Sequence, residues 1–134
     1  RIYPRIRDLR ARYGRRLTVR GWTRRVPSYL AASHVVVGKA GGATVHEVLA
    51  AARPMLVNFL LPGQEEGNTR LLEKLGGGGH VPDVRALASA LQEMMADGGA
   101  QWRCMHENLL RAGMTGGSGR IADLALKLAE EHTN

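Results

Sequence analysis

The first 32 residues combine apolar side chains at helical spacing with a short alternating stretch. The spaced residues are Ile2, Ile6, Leu9 and Tyr13. Repeats of three or four positions predict one face of an α-helix, and Gly14 stands where that helix would end. Residues 17–22 alternate between apolar and polar side chains and predict a short strand. Residues 27–32 predict a short helix that begins near its proline.

The middle of the chain alternates short apolar runs with amphipathic segments. Residues 34–37 are mainly β-branched, which predicts a strand covered on both faces, and residues 54–59 predict a second strand. Helices are predicted over residues 43–52 and 64–75. The side chains expected to face the core are Val45, Val48, Leu49 and Ala52 in the first helix and Leu71, Leu72 and Leu75 in the second.

A glycine tract at residues 76–79 separates this region from the last part of the chain. It predicts the end of a helix, followed by a brief strand around residues 80–81. Three more helices are predicted near residues 83–97, 101–112 and 118–131. Strands that alternate with helices through short loops predict an α/β fold, a Rossmann-like parallel sheet flanked by helices.

Composition indicates one globular domain without a membrane span. The 134 residues are 44% hydrophobic, which suffices for a single core. No apolar run reaches the roughly 18 residues of a membrane helix, and no signal-peptide pattern opens the chain, so we predict a cytoplasmic protein. The first helical pattern begins at Arg1 without a cap or an initiator methionine, so we expect upstream sequence to be missing.

Isolated cysteine, histidine and methionine side chains are interpreted as structural. The single cysteine, Cys104, excludes an internal disulfide and is predicted to lie in the core. His80 is expected in a loop at a strand start, and Trp102 is expected to pack. The histidines predicted on helix surfaces are His106 and His132, and the methionines predicted to fill core gaps are Met94, Met95 and Met105. No cluster of Asp or His suggests a metal site.

Positive charge is concentrated in the first 25 residues. This segment holds ten arginines and one aspartate, a net +9, so the rest of the chain carries −2 of the total +7. The arginines fit two alternatives, a solvated helix face or peripheral contact with an anionic membrane on its cytoplasmic side. Because only 4% of the residues are aromatic, nucleic acid is not predicted as a partner.

Two polar loops follow the two central predicted strands. They read Lys39-Ala40-Gly41-Gly42-Ala43-Thr44-Val45-His46-Glu47 and Pro62-Gly63-Gln64-Glu65-Glu66-Gly67-Asn68. Such loops meet at the carboxyl edge of a parallel sheet, where a helix N-terminus presents unpaired N–H groups to a phosphate. The first loop is not a Walker loop, because Lys39 precedes the glycines, and it is neither G-x-G-x-x-G nor a zinc-protease motif.

Glu47 has two interpretations at this stage. With Thr44 it forms Thr-x-x-Glu, a capping box in which the carboxylate bonds back to the backbone of Thr44. Alternatively, the carboxylate accepts hydrogen bonds from the two hydroxyl groups of a nucleotide ribose, as in other Rossmann-type sites. The second loop, considered together with the first, favours the ribose role.

Taken together, residues 35–68 resemble the donor-binding half of glycosyltransferase family 28. The glycolipid synthases of that family, monogalactosyldiacylglycerol synthases and processive diacylglycerol glucosyltransferases, share both Lys-x-Gly-Gly-x-Thr-x-x-Glu and Pro-Gly-Gln-Glu-x-x-Asn. The resemblance extends over nearly the whole chain. It implies that residues 1–134 are the C-terminal, UDP-sugar-binding domain of a two-domain GT-B glycosyltransferase whose acceptor-binding domain is absent here.

The resemblance also implies roles for individual residues. Those expected to hold the diphosphate are Gly41, Gly42, Ala43 and Thr44, and Glu47 is expected to bind the ribose. Gln64 and Glu65 match a pair that bonds hexose hydroxyls, with Asn68 one turn further on. Trp22, Thr23 and Val26 align with the uracil pocket. Departures from the family pattern at His34, Arg53 and Trp22-Thr23 put the donor preference in doubt.

The implied activity is inverting transfer of a hexose from a UDP-sugar to a lipid acceptor of the diacylglycerol type. No cofactor is expected beyond the UDP-sugar substrate, and the general base is expected in the absent N-terminal domain, so this chain alone is predicted to bind donor without catalysis. Alternatives are an enzyme that uses UDP-N-acetylglucosamine, either the peptidoglycan lipid transferase or a 2-epimerase, and a non-catalytic nucleotide-sugar-binding subunit.

Overall fold

The computed structural model describes residues 3–132, and Arg1 and Ile2 of the predicted first helix lie outside the described residues. A 3₁₀ turn at Gly14–Arg16 follows the first helix. The elements are α1 (Tyr3–Tyr13), α2 (Val26–Ala32), β1 (Val36–Lys39), α3 (Gly42–Ala50), β2 (Met55–Phe59), α4 (Glu66–Lys74), β3 (Gly78–His80), α5 (Val84–Met95), α6 (Ala100–Ala112) and α7 (Gly117–Glu131).

The strands form one open parallel sheet in the order β1-β2-β3. Met55 lies opposite Val36 on one side and Gly78 on the other, so β2 is the central strand. Helices connect consecutive strands, as parallel pairing requires. The predicted α/β fold with a parallel sheet flanked by helices is therefore confirmed.

The core lies on both faces of β2. Alternate residues of a strand point to opposite faces, and Met55 and Val57 accordingly belong to one buried cluster while Leu56 belongs to another. The first cluster is closed by the predicted stripe, all of it buried: Val45, Val48 and Leu49 of α3, and Ala52, which follows the end of that helix. Leu72 of α4 is buried in the same cluster, and Leu71 and Leu75 pack against it.

The prediction that the first strand is covered on both faces was wrong. β1 begins at Val36 rather than His34, and in the described part of the chain it pairs with β2 alone. Val37 is 42% exposed, so one face of this edge strand is partly open to solvent. The register shifts between Gly38 and Lys39, so Lys39 lies opposite Phe59 instead of Asn58.

The strand predicted over residues 17–22 is absent, and this is a second correction. A strand must pair its backbone with a neighbour, and the sheet formed by the described residues contains β1, β2 and β3 alone. Residues 17–22 run as irregular backbone over the surface. Their alternation reflects partial burial of Leu17 and Val19 beside exposed Thr18 and Arg20.

Two predictions on α6 were wrong, because the helix is rotated differently from the expectation. Cys104 is exposed rather than buried. His106 is half-buried rather than on the surface, and its Nδ1 lies 2.6 Å from the carbonyl oxygen of Ala52. Trp102 packs as expected, stacking on His106 with ring centroids 5.1 Å apart and donating from Nε1 to the His34 carbonyl oxygen at 2.7 Å.

The predictions for the methionines and for the other two histidines of the C-terminal half were partly confirmed. Met94 is buried and Met105 packs against the second core cluster, as predicted, but Met95 is exposed because it lies on the outer side of α5. His80 lies within β3 rather than in a loop, and His132 is exposed after α7. No helix within residues 3–132 combines the length and apolar character needed to cross a bilayer.

Candidate functional site

The two polar loops meet at the carboxyl edge of the sheet, as the parallel topology predicts. β1 ends at Lys39, and α3 begins directly after Gly41. The chain leaving β2 passes through residues 60–65 and enters α4 at Glu66. Both helices therefore start beside each other at the edge where α/β sheets bind ligands.

The N-terminus of α3 is open. Gly41 is its N-cap, with φ −64° and ψ 138°, and none of the side chains that the structure describes caps the helix. The amides of the next residues, Gly42, Ala43 and Thr44, are in the first turn, where a helix has no internal acceptor for its N–H groups. All three residues are exposed. The helix thus presents free donors and the positive end of its dipole to solvent.

Packing does not explain glycine at positions 41 and 42. A methyl group on Gly41 would meet Lys39 Nζ at 3.4 Å and Glu65 Oε1 at 3.7 Å, and one on Gly42 would meet Asn68 Nδ2 at 3.8 Å. These contacts are with side-chain ends, and Gly41 has a negative φ that any residue adopts. The small size of both residues leaves room for a group outside the chain to approach the backbone.

An ion pair joins the two loops. Lys39 Nζ donates to Glu65 Oε1 at 2.7 Å, and the Glu65 Oε2 accepts from the backbone N–H of Leu61 at 3.2 Å. The Glu65 residue is only 5% exposed, whereas the Lys39 side chain is 59% exposed. The hydrogen bond from Lys39 holds the pKa of the Glu65 carboxyl below its ordinary value, against the opposing effect of burial.

Asn68 forms a second link between the loops. Its Nδ2 donates to the Ala40 carbonyl oxygen at 2.9 Å, which fastens α4 to the turn after β1. Gln64 precedes α4 and is exposed, with its backbone N–H bonded to the Leu61 carbonyl oxygen. Of the two residues predicted to contact the hexose, Gln64 is therefore exposed and Glu65 is buried.

The capping-box interpretation of Glu47 was wrong. The N-cap is Gly41, so Thr44 lies inside α3 and cannot be the residue whose backbone Glu47 would cap. Glu47 is exposed, and its carboxylate makes no hydrogen bond or ion pair with any residue between 3 and 132. The ribose role of Glu47 stays a prediction.

Two of the residues predicted for the uracil pocket, Trp22 and Thr23, line a surface concavity of about 390 Å³. Its other lining residues are Arg20, Gly21, Arg25 and Tyr29, so Val26, the third predicted residue, is not part of the lining. Trp22 is 85% exposed, and the Thr23 hydroxyl accepts from the backbone N–H of Arg25 at 3.1 Å. Val26 is the exposed first residue of α2. No hydrogen bond within residues 3–132 connects this concavity to the glycine turn.

Several of the N-terminal arginines lie around a second surface cavity. Arg10, Arg15 and Arg20 border a shallow cavity of about 530 Å³ between α1 and the irregular segment that follows it. Both alternatives for these arginines, solvation and membrane contact, fit that geometry. In the part of the chain that the structure describes, no three His, Cys, Asp or Glu side chains are grouped as a metal site.

Sequence reasoning missed Lys39 as a member of the site. Lys39 was not given a binding role, although it opens the Lys-x-Gly-Gly-x-Thr-x-x-Glu motif of the first loop. Its signal was present, because a lysine and Glu65 stand in the loops after two adjacent parallel strands, where opposite charges can meet. The cluster that the structure brings together is Lys39, Gly41, Gly42, Glu65 and Asn68.

Acid is expected to weaken the fold through Glu65. Its pKa is lowered in the folded chain, so the carboxylate contributes stability above the ordinary pKa of about 4.3 and loses that contribution as the pH falls through the folded value. Urea unfolding followed by circular dichroism between pH 6 and pH 3 measures this slope. We expect Glu65→Gln to make the slope shallower.

Glu66→Gln is the matched control for that experiment. Glu66 is adjacent and exposed, and its ion pair with Arg70 spans 3.5 Å on the surface of α4, a type that contributes little. The slope of this variant should equal that of the unsubstituted chain. Equal slopes for all three proteins would show that the Lys39–Glu65 pair is not formed in solution.

No protein-family model matches the chain. Among curated proteins, it is 30% identical over 112 residues to a probable monogalactosyldiacylglycerol synthase 2 of Oryza sativa subsp. indica, covering 84% of this chain and 20% of the synthase. It is 31% identical over 77 residues to the processive diacylglycerol beta-glucosyltransferase of Staphylococcus carnosus, covering 58% of the chain and 20% of that enzyme.

A third relative is the UDP-N-acetylglucosamine--N-acetylmuramyl-(pentapeptide) pyrophosphoryl-undecaprenol N-acetylglucosamine transferase of Rhodospirillum rubrum. It is 31% identical over 112 residues, which cover 78% of this chain and 27% of the transferase. The chain thus spans about a fifth to a quarter of the length of these relatives. The chain is therefore similar to a group of glycosyltransferases whose names specify lipid acceptors.

Proposed function

We propose that the chain is the donor-binding part of a glycosyltransferase of family 28. It binds a UDP-sugar, and the complete enzyme transfers the hexose to a diacylglycerol-type lipid. The open N-terminus of α3, with a free carboxylate one turn along the helix, is the observation that carries the proposal. The similarity to glycolipid synthases of rice and Staphylococcus supports it.

The diphosphate binds at the start of α3. The first-turn amides of Gly42, Ala43 and Thr44 donate to its oxygens, and the helix dipole adds about half a positive charge at the same point. Glu47 lies three and four residues after Thr44 and Ala43, so it lies on the same face roughly 5–6 Å further on. That spacing places its carboxylate for the ribose hydroxyls of the same nucleotide.

The remaining groups of the donor are assigned to the neighbouring surfaces. The exposed amide of Gln64 faces the hexose, near Glu65 at the N-cap of α4 and Asn68 in its first turn. The uracil is received near Trp22, Thr23 and Val26, where the backbone of Thr23 offers groups to the base edge. Because Trp22 is highly exposed, its ring has room to change orientation when a base binds.

The reaction follows from these positions. The acceptor hydroxyl attacks the anomeric carbon, the bond between that carbon and the phosphate oxygen breaks, and the electron pair leaves with UDP. Donors fixed at the start of α3 stabilise the negative charge that develops on the departing diphosphate, without reorganisation at the moment of reaction. The proton of the acceptor goes to a general base outside this chain, so the chain alone binds donor without turnover.

Glu47→Gln is expected to weaken UDP binding while the fold is kept. The amide offers one acceptor and two unwanted donors to the ribose hydroxyls, which costs about 1–3 kcal/mol for poorly matched polar partners. Isothermal titration calorimetry with UDP measures the loss, and chemical shifts of the amides at residues 41–47 show where the nucleotide binds. ADP is the comparison ligand, and it should bind more weakly to the unsubstituted chain.

Glu93→Gln on the exposed side of α5 is the charge-matched control and should leave UDP affinity unchanged. A Glu47→Gln variant that binds UDP as tightly as the unsubstituted chain would remove the ribose role. A folded chain without any UDP response would overturn the donor-binding function itself.

A donor with N-acetylglucosamine is the second candidate. The Rhodospirillum relative, which is 31% identical to this chain, supports it. Competition of UDP-glucose, UDP-galactose and UDP-N-acetylglucosamine against bound UDP separates the two, because the preferred sugar adds contacts with the second loop. Preference for UDP-N-acetylglucosamine would favour the peptidoglycan-type or 2-epimerase alternatives.

A further inference from the structure

Lys39 lies where a nucleotide diphosphate would meet the chain. Its Nζ is 3.4 Å from the position that a side chain on Gly41, the N-cap of α3, would begin to occupy. A lysine ammonium has three donors, and within residues 3–132 it uses one of them, toward Glu65 Oε1 at 2.7 Å. With its side chain 59% exposed, the remaining donors face solvent beside the open helix end.

Both carboxylate oxygens of Glu65 already have hydrogen-bond partners within the chain. One oxygen accepts from Lys39 and the other from the Leu61 backbone N–H at 3.2 Å. The residue is 5% exposed, so little of its surface is left for a ligand. The bond to Leu61 fixes the carboxylate, and the fixed carboxylate in turn fixes the lysine.

We infer that Lys39 binds the diphosphate of the nucleotide and that Glu65 acts mainly by positioning Lys39, an inference that rests on the proposed function. The first-turn amides of α3 and the Lys39 ammonium converge on one region beside Gly41. Backbone donors hold an oxyanion by direction, whereas the ammonium adds a full charge and a charge-assisted hydrogen bond. Because the ion pair already orders the lysine side chain, ligand binding costs less conformational entropy.

Two simpler roles for the pair compete with this one. The Lys39–Glu65 bond could serve only to join the two loops, in which case neither residue affects phosphate binding specifically. Glu65 could instead contact the hexose, in which case it affects UDP-sugars but not UDP. Uridine, UDP and a UDP-hexose, compared in parallel, separate all three roles because they add first the diphosphate and then the sugar.

The first test is Lys39→Met, which keeps the length of the side chain and removes its charge. UDP affinity of the purified chain, measured by titration calorimetry, should fall about tenfold, as expected for a lost hydrogen bond to a charged group. Uridine affinity, followed by amide chemical shifts, should stay unchanged. Lys39→Arg should recover part of the UDP affinity. Lys74→Met removes one exposed charge at the end of α4 and should change neither.

The second test is Glu65→Gln, alone and combined with Lys39→Met. A positioning role predicts that Glu65→Gln weakens UDP severalfold although UDP carries no sugar, and that the double variant binds UDP no more weakly than Lys39→Met. Circular dichroism shows that each variant is folded.

Several results would overturn the inference. Unchanged UDP affinity in Lys39→Met removes the phosphate role, and equal losses for uridine and UDP show a purely structural one. A Glu65→Gln variant that binds UDP normally but loses affinity for the UDP-hexose assigns Glu65 to the sugar. If the unsubstituted chain does not bind UDP, the proposed function fails first and the inference falls with it.

Discussion

Gly78→Ala is expected to leave the chain largely unfolded. A Cβ at this position would overlap the carbonyl oxygen of Met55 in the adjacent strand, and the φ of Gly78, +149°, is one that L side chains rarely adopt. The clash is with backbone in the central strand, which cannot turn aside as a side-chain end can. Steric overlap and strain together cost more than about 4 kcal/mol, which approaches the lower end of the 5–15 kcal/mol that stabilises a typical domain.

Far-ultraviolet circular dichroism and a urea titration measure this effect. Gly67→Ala is the control, because it makes the same change of one methyl group within α4, where nothing lies within 4 Å of the new atom. Alanine favours helices, so this variant should be as stable as the unsubstituted chain or more stable by about 0.5–1 kcal/mol. A cooperative Gly78→Ala transition close to that of Gly67→Ala would contradict the observed spacing of β2 and β3.

The fold was predictable where apolar residues repeat at a regular spacing along the sequence. The predicted stripe was read from apolar residues three and four apart, and Val45, Val48 and Leu49 are buried because α3 brings those positions to one face. Ala52 is also buried, although it follows the end of α3. The strand at residues 17–22 was wrong although its alternation was clear. Alternation indicates which side chains are covered. A strand also needs a neighbouring strand to pair with, and the local sequence does not show whether one is available.

The site was predictable in its position and less so in its contacts. Parallel topology alone brings the loops after β1 and β2 to one edge of the sheet. The pairing of Lys39 with Glu65 depends on the register shift beside Lys39 and on the depth at which Glu65 is buried, and both arise from packing. The capping box failed for a related reason, because α3 begins at the glycines, two residues earlier than Thr44.

The rotation of α6 was unpredictable because both of its sides carry residues that are suited to a core. Cys104 and His106 are two positions apart and therefore point in different directions on a helix. The histidine faces inward because its Nδ1 lies 2.6 Å from the Ala52 carbonyl oxygen and its ring stacks on Trp102. A cysteine at that position would offer the carbonyl oxygen only a weak S–H donor.

Gly77 and Leu109 should be strongly coupled in a double-mutant cycle. A Cβ on Gly77 would overlap the Leu109 side chain, which is 1% exposed and belongs to the main core cluster. Gly77→Ala should cost about 1–3 kcal/mol through overpacking, and Leu109→Ala about 2–5 kcal/mol through a cavity. Together they should cost at least about 1 kcal/mol less than the sum of the single changes, because the methyl group enters the space that the leucine vacates.

Urea unfolding of the four proteins measures the coupling, and Leu49→Ala replaces Leu109→Ala in a control cycle. Leu49 is equally buried in the same cluster, but it is not among the nearest neighbours of a Cβ at Gly77. Its effect should therefore add to that of Gly77→Ala. Equal coupling in the two cycles would mean that the core relaxes as a whole. Coupling restricted to Leu109 would mean that α6 docks on the sheet through direct contact with the glycine tract, which requires a residue without a side chain at position 77.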